Sequence, residues 1–468
     1  VLEAEGPDVV ERTLGRHLRA DWQREGKAMG EKKIKVGILG LGNIGAGTVE
    51  ILKRNGALIE RRVGVPFEIA KVADLNPDRA QKLGLPPSVF TTDAKAVVND
   101  PEIQVVVELI GGIEPARTLI LAAMENGKHV VTANKALLSK HWNEIAGKAE
   151  EKQVSLGFEA SVAGGIPLIN AIRRGLVANR IQRVTGIING TCNYILSRMA
   201  REQKPFKEIL ADAQAHGFAE ANPALDVDGI DAAQKLAILV NLCFGLTVSP
   251  DDIARVGITG VTPLDLVTAS NLGYRIKLLA SAASHDGAVE AWVHPALVPA
   301  SHPLASVNGV FNAVYLEDDN LGPSLYFGRG AGALPTGGAV IADLVSCARD
   351  ILSGAVSRMP VSGLRIRSGE GDSLRSSGMA SSEYYVRVTA LDQPGVLSAI
   401  TGVLGKHGIS IASVTQRDRA DESGEGVPVV ITTHEARYAE MTAAIAELDA
   451  LPVVRKGSFL ARIIPPAA

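Results

Sequence analysis

The chain has 468 residues, enough for about three domains, with 46% hydrophobic and 21% charged residues. A net charge of −3 without a basic block, and only 4% aromatic residues, argue against a nucleic-acid partner. Three cysteines (Cys192, Cys243, Cys347) with no CxxC speak against a disulfide framework or zinc site and fit a reducing cytoplasm, and no apolar run reaches the ~18 residues of a membrane span.

Residues 1–32 are charged and lack the apolar core of a signal peptide. Met29-Gly30 stands just before the first β-rich run, so this stretch is expected to be an extension outside the core. Ile34–Leu39 predicts a strand, and Gly40-Leu41-Gly42-Asn43-Ile44-Gly45 follows it into a helical run. A GxGxxG between strand and helix is the dinucleotide fingerprint. Gly40 permits the tight turn, Gly42 lets backbone approach a pyrophosphate, and Gly45 packs helix on strand. The helix N-terminus adds N–H donors and a partial positive charge. Phe67–Ala73 predicts the next strand. Asp74 at its end suits ribose hydroxyls, while Lys71 and Arg79 are near enough to accept a 2′-phosphate, so NAD and NADP both fit.

Ile103–Ile110 is nearly all apolar, as in a parallel sheet covered on both faces, and ends in Gly111-Gly112. A helix over about Glu114–Asn126 leads to the strand His129–Thr132. Lys135 follows at its carboxyl end, where open α/β sheets bind ligands, although a solvated loop lysine reads the same way. Val154–Phe158 predicts another strand. The glycine-bearing turn from Glu159 to Pro167 exposes carbonyls that suit a hard or monovalent cation, or simply turn the chain. Val184–Ile188 runs into Asn189-Gly190-Thr191-Cys192, whose backbone and hydroxyl donors suit a carboxylate. Cys192 has no histidine near it in sequence and reads as structural.

Between Glu220 and Val240, four carboxylates (Glu220, Asp226, Asp228, Asp231) crowd a segment broken by Pro223 and Gly229. A helix then starts, apolar nearly all round, with Lys235 as its one cation. Asp231 and Lys235, four apart, share a face. Burial lowers a lysine pKa and carboxylates raise it, so this amine suits either acid–base catalysis or a structural ion pair.

Tyr326–Gly338 is glycine-dense and precedes a helix predicted at about Ala339–Ser353, expected to return to the first domain. Val361–Ser382 reads as a linker. The tail follows a β-α-β-β-α-β order, the ferredoxin-like arrangement, with strands Tyr384–Ala390, Ile409–Gln416, Val427–Thr433 and Val453–Ile464 and helices Val396–His407 and Ala436–Leu448. Its turn Asp392-Gln393-Pro394-Gly395 suits a small zwitterion, and without a catalytic cluster the segment reads as a sensor.

These motifs carry a resemblance. V-G-I-L-G-L-G-N-I-G-A-G at 36–47, V-T-A-N-K-A-L-L at 131–138, G-I-I-N-G-T-C-N-Y-I-L at 186–196, G-F-A-E-A-N-P-A-L-D-V-D-G-I-D-A-A-Q-K-L-A-I-L at 217–239 and Y-F-G-R-G-A-G-A-L-P-T at 326–336 resemble the homoserine dehydrogenase family of the long, monofunctional bacterial kind. The tail resembles an ACT domain, and no kinase-like stretch precedes the core. The resemblance implies NAD(P)-dependent interconversion of L-homoserine and L-aspartate 4-semialdehyde in threonine, methionine and isoleucine synthesis, with threonine as the first-choice effector. It implies Lys235 as acid–base residue beside Asp231. It implies Glu220, Asp226, Asp231, Gly190 and Thr191 at the amino acid, and Asn43, Ile44, Lys135, Gly217 and Gly332 at the cofactor with Gly40, Gly42, Gly45 and Asp74. Glu159, Val162, Gly164 and Ile166 match the family's sodium-type cation site. Gly337-Gly338 departs from bulkier residues common there.

The expected architecture is α/β. A Rossmann-type domain covers 33–163, an α+β catalytic and dimerisation domain 164–325, a return helix 326–360, a linker 361–382 and an ACT domain 383–468, in a cytoplasmic homodimer or homotetramer without membrane or nucleic-acid partners. Two other readings are an ACT-linked hydroxyacid dehydrogenase, which needs a histidine with Arg and Glu not patterned here, and a non-catalytic dinucleotide-binding sensor, against which the Glu220–Lys235 cluster argues.

Overall fold

The computed structural model describes residues 32–285, 287–355, 360–364, 373–416 and 426–467, so the expected extension up to residue 31 and the middle of the expected linker lie outside the described residues. The chain divides into two compact units, one of residues 1–134, 144–160 and 332–361, the other of 135–143, 161–331 and 362–468.

In the first unit, β1 (Ile34–Leu39), β2 (Phe67–Ala73), β3 (Phe90–Thr91), β4 (Val105–Glu108), β5 (His129–Thr132) and β6 (Leu156–Gly157) form one parallel sheet in the order β3-β2-β1-β4-β5-β6. This is the Rossmann order, with its reversal between β1 and β4. Val105, Val106 and Val107 are fully buried because helices, among them α2 (Ala116–Glu125), cover the sheet's faces. Helix α1 (Asn43–Val63) and the helix Ala333–Ser353 pack together on the sheet, contributing Val49, Val340 and Leu344 to its core.

The helix Ala333–Ser353 starts six residues before its predicted start, so Gly337 and Gly338 lie inside it rather than in a loop. A β-carbon on Gly337 would stand 2.9 Å from the Gly47 carbonyl carbon, and one on Gly47 would strike the Ala333 oxygen. The two helices meet backbone to backbone. That contact overrides the low helix propensity of glycine and accounts for the Gly337 half of the departure from the family's bulkier residues.

In the second unit, β7 (Ile181–Ile187), β8 (Tyr274–His285), β9 (Ala288–Pro299), β10 (Phe311–Asp318) and β11 (Gly322–Arg329) form an antiparallel sheet. Helices α4 (Gly190–Glu202), α6 (Ile230–Phe244) and α7 (Pro263–Asn271) pack on β8, with α5 (Phe206–Ala215) against α4. Helix α3 (Lys135–Glu151) begins in this unit and kinks at His141 before the division between units. The tail adds β12 (Ser381–Ala390), α8 (Val396–Lys406), β13 (Ile411–Thr415), β14 (Val427–Thr433), α9 (Tyr438–Asp449) and β15 (Val454–Ile463).

The tail's sheet is continuous with the first. Strand β15 pairs in parallel with β9, Ala296 opposite Arg462, so the order runs β11-β10-β7-β8-β9-β15-β12-β14-β13. The expected linker is more ordered than its composition suggests: Ser373–Leu374 pairs with β9 and β12 starts at Ser381.

Candidate functional site

Asp231 stands in the first turn of α6, after Gly229 in a left-handed turn (φ 77°). One carboxylate oxygen, Oδ2, lies 2.7 Å from the Lys235 ammonium and the other, Oδ1, 3.0 Å from that of Lys135. The Asp231 side chain is 9% exposed, that of Lys235 11% and that of Lys135 38%. Lys235 also donates to the Ile188 carbonyl at the end of β7, at 2.8 Å. Burial alone would raise the Asp231 carboxyl, but the Lys235 and Lys135 charges, with hydrogen bonds from Lys235 and Asn189, hold it well below the usual carboxylate range. The Asp231 charge in turn lifts Lys135 above the ordinary lysine value against the opposing effect of burial.

Asn189 was not among the residues expected to act, yet it organises the cluster. It is the N-cap of α4, where its Oδ1 accepts the Cys192 N–H at 2.8 Å. Its Nδ2 donates to Asp226 at 2.7 Å and to Asp231 at 2.9 Å. A carboxylate at this cap would accept the N–H equally well but repel both acids; an amide carries the acceptor and the donor together. The Asn-Gly before a helix was the sequence signal, and it reads as a turn as well as a cap.

Gly190 opens α4, where a β-carbon would come 3.0 Å from the Val310 oxygen. Thr191 Oγ1 donates to the Phe218 carbonyl. Cys192 is fully buried, and burial raises its thiol well above the usual value, as suits a structural residue. Glu220 is exposed, though its charge helps raise Lys135. Gly217 is an exposed left-handed turn (φ 73°) after α5. Val162, Ala163, Gly164 and Ile166 form a buried reversal apart from Gly164's neighbour Gly165, with Ala163 and Gly164 both left-handed (φ 55° and 54°) and Ile166 N–H on the Ala163 oxygen. Glu159 is buried in the first unit, its N–H on Asp343. Among the described residues no group of three His, Cys, Asp or Glu forms a metal cluster.

In the first unit the three fingerprint glycines differ as their conformations require. Gly40 is left-handed (φ 95°) and a β-carbon there would lie 2.7 Å from the Leu109 oxygen. One on Gly45 would strike the Gly40 oxygen, whereas one on Gly42 would meet no atom within 4 Å. Gly42 thus leaves open space at the N-terminus of α1, beside exposed Asn43 and half-buried Ile44. Asp74 ties the loop down by accepting the Leu41 N–H at 2.6 Å and pairs with Arg79 at 3.2 Å. Lys71 is held by Asp100 at 2.7 Å, so of the two cations expected near the ribose only Arg79 stands beside Asp74. Gly332, at φ 126° where a side chain would be strained, precedes the helix Ala333–Ser353.

A family model described as homoserine dehydrogenase matches residues 167–345, one described as its NAD binding domain matches 40–159, and one described as ACT domain matches 384–450. The homoserine dehydrogenase of Pseudomonas aeruginosa is 46% identical over 429 residues, 91% of this chain and 98% of that protein. The chain belongs to the homoserine dehydrogenase family. It is an NAD(P)-dependent oxidoreductase with a C-terminal ACT domain, and its fold is that of the family. The crystal structure of a homoserine dehydrogenase from Thiobacillus denitrificans superposes with a TM-score of 0.87 at 42% identity, covering 94% of this chain and all of that one. A hyperthermophilic archaeal homoserine dehydrogenase in complex with NADPH is similar at 25% identity and a TM-score of 0.59, over 70% of this chain. No helix among the described residues is long and apolar enough to cross a membrane.

Proposed function

We propose that the chain interconverts L-homoserine and L-aspartate 4-semialdehyde, with NAD or NADP on the first unit and the amino acid on the second. The observation that carries this reading is Asp231, buried and shared between Lys235 and Lys135. Bound reduced nicotinamide supplies a hydride to the aldehyde carbon. A lysine ammonium has three N–H groups. In Lys235, Ile188 and Asp231 take two of them, leaving the third for the aldehyde oxygen. Proton transfer along it yields the alcohol, and in reverse the neutral amine takes the hydroxyl proton. Lys135, its charge secured by Asp231, stays an ammonium and serves as a fixed positive charge toward substrate oxygen or cofactor amide.

Glu220, Asp226 and Asp231 are suited to the substrate ammonium, and Gly190 and Thr191, at the N-terminus of α4, to its carboxylate. The carbonyls of Val162, Gly164 and Ile166 are a donor set that suits sodium or potassium. Residues 33–163 with the 326–360 segment serve the cofactor, 164–325 the chemistry and pairing, and 383–468 regulation by an amino acid, threonine first. Pairing with a second copy is supported by edge strand β11, whose Leu325 and Phe327 are 42% and 55% exposed. The enzyme then works in cytoplasmic threonine, methionine and isoleucine synthesis.

One assay tests the core of this reading: nicotinamide absorbance with homoserine and either NAD or NADP. Turnover is expected with at least one cofactor. In Lys235→Ala it should fall by about 10²–10⁴-fold while cofactor affinity is kept. Near-normal turnover in that variant refutes the assignment.

A further inference from the structure

Away from the Asp231 cluster, α4, α7, the start of β8 and the Asn308-Gly309 turn line an open cavity of 680 Å³. Its wall includes Arg198, Arg201, Arg275 and Lys277 but no carboxylate. Arg198 and Arg201 are already answered by Glu202 and Asp212. The other two are not. Lys277 is 3% exposed, and its ammonium donates to Asn308 Oδ1 at 3.0 Å, to Asn193 Oδ1 at 3.4 Å and to the Val307 carbonyl, all neutral acceptors. Arg275 donates to Ser270 Oγ at 3.1 Å and to the Tyr274 carbonyl at 2.8 Å. Among the described residues neither cation has a carboxylate within ion-pair distance. Arg275 is exposed, but Lys277 is a buried charge, and buried charges are ordinarily paired.

We propose that this cavity is a binding site for a small oxyanion, a carboxylate- or phosphate-bearing metabolite, held by the free N–H groups of Arg275 with the buried Lys277 charge behind it. Two further observations support it. Burial, and then the Arg275 charge, push the Lys277 ammonium down to about 8, the condition of a site lacking its counter-ion. Ser197, Ser270 and Asn271 add polar groups to the same wall. The wall also shares α4 with Gly190 and Thr191, so a ligand here touches the helix that opens at the Asp231 cluster.

The test is calorimetric titration of the full chain at pH 8.5 with potassium phosphate and, separately, with succinate, in potassium chloride of matched ionic strength. Saturable binding of at least one is expected, and the two arms identify which oxyanion the site takes. A bound anion restores the Lys277 proton, so binding should take up protons, seen as an enthalpy that varies with the buffer. Arg275→Gln, a change at an exposed side chain, should weaken binding by about ten-fold. Lys277→Met should abolish the proton uptake. No saturable binding of either anion, or unchanged affinity in Arg275→Gln, overturns the proposal.

Discussion

Lys135 and Lys235 meet on opposite oxygens of one carboxylate: Asp231 gives Oδ1 to the first and Oδ2 to the second. Removing that carboxylate leaves two ammonium groups facing each other with no anion between them. Asp231→Asn should therefore cost about 3 kcal/mol of stability at pH 7, as for other broken buried pairs, along with most of the turnover. The sign with pH follows from the depressed folded value of Asp231. Its contribution is complete above the unfolded value of about 3.9 and is lost as pH falls toward the folded one. Thermal unfolding of both proteins from pH 7 to pH 3 checks this. The gap should be widest at neutral pH and narrow below about pH 4, and a gap that widens in acid would contradict the assignment.

The fingerprint glycines separate fold from ligand. Gly45→Ala puts a methyl against the Gly40 oxygen and should destabilise by about 1–3 kcal/mol. Gly42→Ala meets nothing within 4 Å, and its backbone (φ −63°) accepts any residue. It should leave the melting temperature unchanged yet weaken NAD or NADP binding about ten-fold, because only a pyrophosphate needs that space. Equal cofactor affinity in Gly42→Ala would show that the dinucleotide does not lie over this residue.

What was legible in the sequence was local. The fingerprint, the Asp231–Lys235 spacing and the βαββαβ order of the tail each sit within a short window, where period and turn chemistry decide. What was not legible depends on distant chain. Lys135 reads equally as a loop lysine until α3 brings it to Asp231. Gly337 and Gly338 read as loop because propensity says so, while the close approach of Gly47 leaves room only for glycine at 337 within the helix. Nor did the pattern of β15 reveal that it would extend the sheet of β9, since alternation fixes which face a strand buries and not which edge it joins.

Because β15 pairs with β9, deleting residues 383–468 would uncover the edge of β9 as well as remove the proposed sensor. A point change at the Asp392–Gly395 turn is cleaner. Asp392 is exposed and Gly395 caps α8 in a left-handed conformation (φ 89°). On the proposed reading that threonine binds at this turn, Asp392→Ala should raise the threonine concentration for half-inhibition about ten-fold and leave uninhibited turnover alone. Identical inhibition curves would remove this turn from the effector site.

The tail is also tied to α7 through Asp265, which is fully buried. Its Oδ1 accepts from Tyr385 Oη at 2.9 Å and Arg387 Nε at 2.8 Å, both on β12, while Oδ2 accepts the Thr262 N–H at 2.8 Å in the capping box of α7. One residue thus caps a helix packed on α4 and anchors strand β12 of the tail. Thr262→Ala removes part of the cap and should cost about 1 kcal/mol. Asp265→Ala also leaves Arg387, whose side chain is 10% exposed, without its counter-ion, and should cost about 3–5 kcal/mol. Hydrogen exchange then separates the two roles: Thr262→Ala should loosen α7 alone, whereas Asp265→Ala should also speed exchange along β12 and blunt amino acid inhibition. Should both variants lose the same stability and leave β12 equally protected, Asp265 is a cap and nothing more.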